Sequence, residues 1–248
     1  MSLNTSHTYD GQGVLIYNGE MILIYSKEVN LSFDNPPASV FKGTKKGPIY
    51  LTTHRIIFTN KDARDDLKSF CMPFHCLRDV KLEQPIFGAN YLKGHCLAQP
   101  NGNFEGELTF KLSFMQGGCI EYGKALLRAA DLASRFQPMN APPPYAPPAG
   151  GYFSPPPAYY TAPGGNYNGF QAPTNAFPDQ APPDNVYMHE SPPPYPGIGP
   201  TPAPHPAGTI AGHTYPGNQN GNETELRQRN ATSPSAPPCP TYEEAVRS

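Results

Sequence analysis

Residues 105–135 read EGELTFKLSFMQGGCIEYGKALLRAADLASR, and the spacing of apolar residues changes within this stretch. From Leu108 to Phe114, apolar and polar residues alternate, which predicts a strand with one buried face. Gly117-Gly118 predicts a tight turn, followed by a partner strand over Cys119–Tyr122. Between Lys124 and Arg135 the apolar residues return at helical spacing, which predicts a helix that closes the domain.

The predicted helix would bury Leu126, Leu127, Ala130 and Ala133 against the sheet. Upstream, short apolar runs separated by turn residues predict further strands. These runs are Val14–Tyr17, Met21–Tyr25, Val29–Phe33, Ile49–Leu51, Ile56–Phe58, Phe70–Phe74 and Val80–Leu82. Asn18-Gly19 suits a two-residue hairpin turn between the first two runs. Many short strands and one C-terminal helix indicate a mainly β fold, a small barrel or sandwich that the helix covers.

Composition divides the chain in two. Of its 33 prolines, 6 precede residue 137 and 27 follow residue 136, where Leu, Ile, Val and Phe together number only 8. So few aliphatic residues cannot bury a core that offsets the entropy of ordering the backbone. We therefore predict a flexible N-terminus over 1–12, a folded domain over 13–136 and a disordered Pro/Tyr/Gly-rich tail over 137–248.

Charge and cysteine content exclude several classes of protein. The net charge is -2 at a pI of about 6.4, without the strong positive field of an autonomous nucleic-acid binder, so we expect no direct sequence-specific contact with nucleic acid. No run approaches the roughly 18–20 apolar residues of a membrane span, so any membrane contact would be peripheral and weak. Five scattered cysteines and no apolar leader indicate a reducing compartment.

The tail repeats one tetrapeptide, Pro-Pro-x-Tyr. Prolines pre-set the polyproline II helix, so docking in an aromatic groove costs little entropy, and the tyrosine adds a second anchor. This is the pattern of WW-domain ligands, and the alternative is a chance match in a Pro- and Tyr-rich chain. The predicted binding residues are Pro142, Pro143 and Tyr145 (motif one), Pro156, Pro157 and Tyr159 (motif two), Pro192, Pro193 and Tyr195 (motif three), and, in a degenerate copy that begins with Cys239, Pro240 and Tyr242.

Other candidate sites, for lipid, metal or catalysis, are supported by fewer residues. Lys42, Lys45 and Lys46 lie beside glycines and could receive a lipid phosphate, although a solvated turn explains them as well. Cys71, His75 and Cys76 lack a second ligand pair at structural zinc spacing, so we predict no metal and no cofactor. No nucleophile elbow or phosphate loop occurs, and His54, His75 and His95 have no partners at motif spacing. We predict that the protein is not an enzyme.

The run FKGTKKGPIYLTTHRIIF over residues 41–58 resembles a GRAM domain, a pleckstrin-homology-like fold. Together with QPIFGANY over residues 84–91 and the Pro-Pro-x-Tyr tail, the chain resembles the WW domain-binding protein 2 family, which includes a sperm postacrosomal sheath member. The resemblance implies a seven-stranded sandwich capped by a helix. It also implies an adaptor and transcriptional coactivator in cytoplasm and nucleus, acting at chromatin with transcription factors or nuclear receptors.

The partners that the resemblance implies are WW-domain proteins, including Yes-associated coactivators and Nedd4-like ubiquitin ligases. Two alternatives stay open at this point. The domain could bind phosphoinositide as a peripheral membrane adaptor, or the chain could be a sperm-borne protein that acts in fertilisation.

Overall fold

The computed structural model describes residues 1–135 and 151–199. Its strands are β1 (Ser2–Leu3), β2 (Val14–Ile16), β3 (Ile22–Asp34), β4 (Lys45–Thr52), β5 (Arg55–Thr59), β6 (Ser69–Pro73), β7 (Leu77–Glu83), β8 (Tyr91–Leu97), β9 (Glu107–Phe114), β10 (Tyr152–Phe153), β11 (Asn166–Tyr167), β12 (Phe170–Gln171) and β13 (Val186–His189). The helix α1 spans Cys119–Arg135, and short 3-10 helices lie at Ser39–Phe41, Phe74–Cys76, Pro157–Tyr159, Pro163–Gly165 and Pro183–Asn185.

Eight strands form one antiparallel sheet in the order β1-β6-β5-β4-β3-β9-β8-β7. The 13-residue β3 is its centre, because it pairs with β4 along most of its length and with β9 from Val29 onward. Two predicted strands, Met21–Tyr25 and Val29–Phe33, are therefore parts of one strand, joined across a register irregularity between Ser26 and Val29. Such an irregularity bends a strand and lets it serve two neighbours.

The predicted buried face of β9 is confirmed, since Leu108, Phe110, Leu112 and Phe114 are all buried in the main core. The helix packs on this layer through Tyr122, Leu126, Ala129, Leu132 and Ala133. The strands β3–β9 and the capping helix confirm the predicted mainly β fold with one helix.

Two local predictions in this region are wrong. Residues Cys119–Tyr122 do not form a strand, because α1 begins at Cys119 directly after Gly117 and Gly118, both at positive φ. Consecutive left-handed residues turn the chain out of the sheet at no steric cost to glycine. Leu127 is 55% exposed and does not contact the core, since Leu126 occupies the inward position at this level.

The predicted hairpin around Asn18-Gly19 is also wrong. A turn does form there, with the Glu20 amide donating to the Tyr17 carbonyl (3.0 Å) and Gly19 at φ 83°. However, β2 pairs in parallel with β13, with the register Val14 to Val186, and not with β3. Asn18 has no positive φ, so the turn lacks the mirror-image geometry that continues two strands as a hairpin.

Residues 1–12 and 151–199 differ from the predicted flexible N-terminus and disordered tail. Met1 is buried, its amino group donates to the Leu97 carbonyl, and β1 pairs with β6. Residues 151–199, here called the arm, form β10 to β13 and lie against the domain. The composition correctly indicates that the arm has no core of its own. Its scattered apolar residues are buried in the domain's clusters instead, chiefly Tyr160, Phe170, Phe177, Val186, Met188 and Ile198.

The arm occupies backbone edges that the domain leaves open. The Ile22 amide donates to the Tyr160 carbonyl (2.7 Å), and Thr161 bridges to Ile22 beside the first half of β3, where β9 does not reach. At β2 the arm supplies β13 as a parallel neighbour. An unpaired strand edge carries unsatisfied amides and carbonyls, so covering it is favourable. Hydrophobic periodicity does not predict this arrangement, because the arm contacts the domain through single apolar residues that form no repeating pattern.

Candidate functional site

The predicted WW-binding motifs fall on both described and undescribed residues. Motif one (Pro142–Tyr145) and the degenerate copy with Pro240 and Tyr242 lie outside the described residues. Motif two (Pro156–Tyr159) and motif three (Pro192–Tyr195) lie in the arm, and their tyrosines have opposite environments.

Motif two lies on the surface. Pro156 has φ -58° and ψ 147°, which is polyproline II geometry, but Pro157–Tyr159 form a 3-10 turn in which the Tyr159 amide donates to the Pro156 carbonyl (2.9 Å). The Tyr159 side chain is 42% exposed, and both prolines are exposed. The next residue, Tyr160, is buried and fixes the end of the turn. A partner can therefore reach the Tyr159 ring, although the extended ligand form requires the turn to open.

Motif three has its tyrosine inside the molecule. Tyr195 is 5% exposed and packs against three rings of the domain. Its centroid lies 5.6 Å from that of His75, 6.0 Å from that of Tyr17 in an edge-on arrangement and 6.4 Å from that of His54. These distances are those of stabilising aromatic pairs. We call the site formed by Tyr17, His54 and His75 the tyrosine dock.

Backbone contacts hold motif three from both sides. Before it, the Asn18 amide donates to the Ser191 carbonyl (3.0 Å), and β13 pairs with β2. After it, the Ile198 amide donates to the Thr53 carbonyl (2.9 Å), and the Ile198 side chain is buried in the main core. Gly197 permits this approach, because a Cβ there would lie 2.2 Å from Cδ2 of His54.

A buried ion pair forms the polar floor of the dock. Arg55 Nε and Nη2 donate to the two carboxylate oxygens of Glu20 at 2.8 and 2.9 Å, and both side chains are buried. Thr52 Oγ1 donates to Glu20 Oε1 (2.6 Å), and the Arg55 guanidinium lies 4.6 Å above the centre of the Tyr17 ring. The floor thus fixes the Tyr17 ring that Tyr195 contacts.

Burial controls the protonation of the dock. It lowers the pKa of His54 to about 4, so this ring is neutral near pH 7. Burial would raise the pKa of Glu20, but the Arg55 guanidinium outweighs it and the net shift is downward, which keeps the carboxylate charged. Burial raises the pKa of Tyr195 well above its usual value. Within the described residues the Tyr195 hydroxyl has no hydrogen-bond partner, a costly arrangement for a buried polar group.

The three predicted lipid-contact lysines do not form one free cationic patch. Lys45 is buried, and its Nζ contacts both carboxylate oxygens of Asp65 at 2.6 and 2.9 Å. Lys42 and Lys46 are exposed. An internal ion pair thus accounts for the central lysine.

The cysteine and histidine side chains of the described residues are not arranged as metal ligands. Cys71, Cys76, Cys96 and Cys119 are buried free thiols, and Cys76 Sγ lies 3.3 Å from His75 Nε2. Over residues 1–135 and 151–199, no three His, Cys, Asp or Glu side chains cluster as metal ligands would. Across the same ranges, no helix combines the length and apolar character needed to cross a bilayer.

Sequence reasoning missed the dock. His54 and His75 have no partners at motif spacing, and no sequence pattern singles out Tyr17, Glu20 or Arg55. One signal was available: Arg55 directly precedes the apolar run Ile56–Phe58, and a charge at the start of a fully buried strand needs an opposite charge nearby. The identity of that partner, 35 residues away, requires the fold.

Comparison with known proteins identifies the domain. The family model of the GRAM domain matches residues 18–132, within the predicted domain. A human protein named WW domain-binding protein 2 is 43% identical over 138 residues, which are 54% of this chain and 52% of that protein. A bovine postacrosomal sheath WW domain-binding protein is 37% identical over 181 residues, 72% of this chain and 56% of its own length.

A third relative, a UPF0664 stress-induced protein of Schizosaccharomyces pombe, is 37% identical over 120 residues, or 46% of this chain and 69% of that protein. The chain spans about half the length of the WW domain-binding relatives it matches. The GRAM domain that the sequence predicts is thus confirmed.

Proposed function

Because the chain belongs to the WW domain-binding protein 2 family, we propose that it is a non-catalytic adaptor that binds WW-domain proteins through its Pro-Pro-x-Tyr motifs. The observation that carries the proposal is the threefold repetition of this tetrapeptide C-terminal to the GRAM domain. The names of two relatives, both WW domain-binding proteins, support it.

The motifs supply the chemistry that a WW domain recognises. Proline side chains restrict φ, so a groove lined by aromatic residues gains contact area with little loss of conformational entropy. Tyrosine adds a rigid apolar ring at low entropic cost. In motif two, Pro156 already has the extended geometry and the Tyr159 ring is partly exposed.

Several linked motifs favour partners with two WW domains. Once one motif is bound, the next binds within the same complex at an effective concentration set by the linker, so weak single sites give strong overall binding. We propose that the physiological partners include proteins of the Yes-associated coactivator type and Nedd4-like ubiquitin ligases. In this proposal the chain acts in cytoplasm and nucleus as a transcriptional coactivator, in complexes with transcription factors.

Two alternatives have less support. A phosphoinositide-binding role for Lys42, Lys45 and Lys46 loses its central cation to Asp65. A role in fertilisation rests on the name of the postacrosomal relatives alone. Expression restricted to the male germ line would favour it over a general adaptor.

The test is a titration of a tandem WW-domain protein against the full chain. The variants are single and triple Tyr→Ala substitutions at Tyr145, Tyr159 and Tyr195, with Tyr9→Ala as the matched control, because Tyr9 is fully exposed and outside every motif. We expect the triple variant to lose binding and the control to retain it. Equal affinity of the triple variant and the parent chain would refute the proposal.

A further inference from the structure

We propose that the tyrosine dock is an intramolecular binding site for motif three, so that the GRAM domain and a WW domain compete for Tyr195. This inference deepens the proposed function on which it rests, by adding regulation to one of its motifs. It begins from the difference in burial between the tyrosines of motifs two and three.

Binding to the dock and binding to a WW domain exclude each other at Tyr195. A WW groove must enclose the tyrosine ring, yet the ring is 5% exposed and faces Tyr17, His54 and His75. Motif three must leave the dock before a WW domain can reach this ring. Its apparent affinity is then the intrinsic affinity reduced by the fraction of molecules in which it is released.

Contacts on either side of Tyr195 fix its position in the dock. On one side, Val186, Tyr187 and Met188 pair with Val14, Leu15 and Ile16 of β2. On the other side, the Ile198 amide donates a hydrogen bond to the Thr53 carbonyl, and Gly197 lies against the His54 ring with no room for a side chain. Tyr195 is held between these two fixed points, so its burial follows from the path of the backbone.

The dock is also suited to release its ligand. The Tyr195 hydroxyl has no hydrogen-bond partner in the described residues, whereas water or a partner can satisfy it after release. Tyr17 and Tyr195 form a small cluster separate from the main core, so moving Tyr195 need not open that core. The charged Glu20–Arg55 floor would gain solvation when uncovered.

The chain offers a variant that blocks the dock without changing the motif. Gly197→Ala places a Cβ within 2.2–2.5 Å of three atoms of the His54 ring, while Pro192 to Tyr195 stay intact. Gly151→Ala is the matched control, because it makes the same chemical change in the arm, where no atom lies within 4 Å of the added Cβ. Val186→Asp, which puts a charge at a buried arm position, is a second releasing variant.

The first measurement is hydrogen exchange, which does not involve a WW domain. In the full parent chain we expect protection of the Ile198 amide, which donates to Thr53, and loss of this protection in Gly197→Ala but not in Gly151→Ala. Exchange of the Ile198 amide at the free-peptide rate in the parent chain would overturn the inference.

The second measurement is binding of a recombinant single WW domain to the full chain with Tyr145, Tyr159 and Tyr242 changed to Ala, so that only motif three remains. If the arm is docked in about 90% of molecules, Gly197→Ala and Val186→Asp bind about tenfold more tightly than this background, and Gly151→Ala binds equally. Equal affinity of all four chains would overturn the competition.

Synthetic peptides of residues 188–199, with and without Gly197→Ala, separate the proposed WW binding of motif three from its proposed competition with the dock. Equal and tight binding of both peptides to the WW domain shows that Gly197 acts through the dock. If neither peptide binds while the Ile198 amide is protected in the full chain, the proposed WW function of motif three fails and the competition fails with it, but the docked arm stands.

Discussion

Motif two and motif three have nearly the same sequence and different accessibility. Pro156–Tyr159 and Pro192–Tyr195 differ only at the third position, Ala158 against Pro194, yet Tyr159 is 42% exposed and Tyr195 is 5% exposed. The difference arises from the neighbours of each motif. Motif two ends in a 3-10 turn that buries Tyr160 instead of Tyr159, whereas motif three runs between β13 and Ile198, both fixed to the domain.

This comparison shows that a linear motif cannot be equated with an available binding site. The tetrapeptide predicts which groove it can fill, while the residues on either side of it determine whether the tyrosine is free to do so.

The largest effect is expected from breaking the Glu20–Arg55 ion pair, which forms the floor of the dock. Glu20→Gln leaves the Arg55 charge buried and unpaired, and breaking a buried pair in this way costs about 3–5 kcal/mol. We expect a corresponding fall in the free energy of unfolding in urea, together with release of Tyr195. Asp131→Asn, which removes the exposed partner of Arg135, is the control and should change stability by less than about 1 kcal/mol. A Glu20→Gln chain as stable as the control would show that the pair does not support the dock.

Acid should release motif three from the dock. Burial lowers the pKa of His54, His75 and His189 to about 4, and the rings of His54 and His189 lie close to Arg55 and Glu20. Between pH 6.5 and 4 the unfolded or released ring binds a proton that the docked ring does not, so stability is retained above pH 6.5 and falls as the pH decreases below it. At pH 5 a shift of this size corresponds to about 2 kcal/mol for one ring.

The measurement is the free energy of unfolding and the Ile198 amide exchange rate between pH 7.5 and 5. His54→Gln should flatten the profile in part, because it removes one of the three groups. A profile that stays flat in the parent chain would mean that the docked arm keeps none of the three rings neutral.

Elements whose pattern lies within a short run of residues are predictable from the sequence, and contacts between distant residues are not. The β9 face was predictable because Leu108 to Phe114 alternate without interruption. The strand β8 was missed because Lys93, Gly94 and His95 break its apolar run, although Leu92 and Cys96 are buried. The dock was not predictable from periodicity, since it joins residues more than 100 positions apart, such as Tyr17 and Tyr195. Pattern analysis detects elements that bury a face, and the arm buries single residues against another part of the chain.

Chemical reactivity gives a direct measure of the two tyrosines. Nitration proceeds through the ionised phenol, and burial raises the pKa of Tyr195 far above its usual value while also shielding the ring. We expect Tyr159 to be nitrated at least about tenfold faster than Tyr195 in the parent chain, with Tyr9 as the exposed reference. Gly197→Ala should bring the rate at Tyr195 close to that at Tyr159, as measured by peptide mass spectrometry. Equal rates in the parent chain would contradict the difference in burial.

The smallest effect is expected from making the two motifs identical. Ala158→Pro converts motif two to the Pro-Pro-Pro-Tyr sequence of motif three, and a proline there disfavours the helical conformation of Pro157 before it. The 3-10 turn at Pro157–Tyr159 should therefore open toward polyproline II. Because a stiffer free chain loses less entropy on binding, we expect a gain of about 0.4–1 kcal/mol, or two- to fivefold in affinity for a single WW domain.

The titration uses chains in which only one motif keeps its tyrosine. We expect the Ala158→Pro chain to bind the WW domain more tightly than the chain in which motif three alone remains. If Gly197→Ala removes this difference in affinity, the two tetrapeptides are equivalent and docking alone accounts for the difference. A gap that persists with the dock blocked would assign the difference to flanking residues that touch the WW domain.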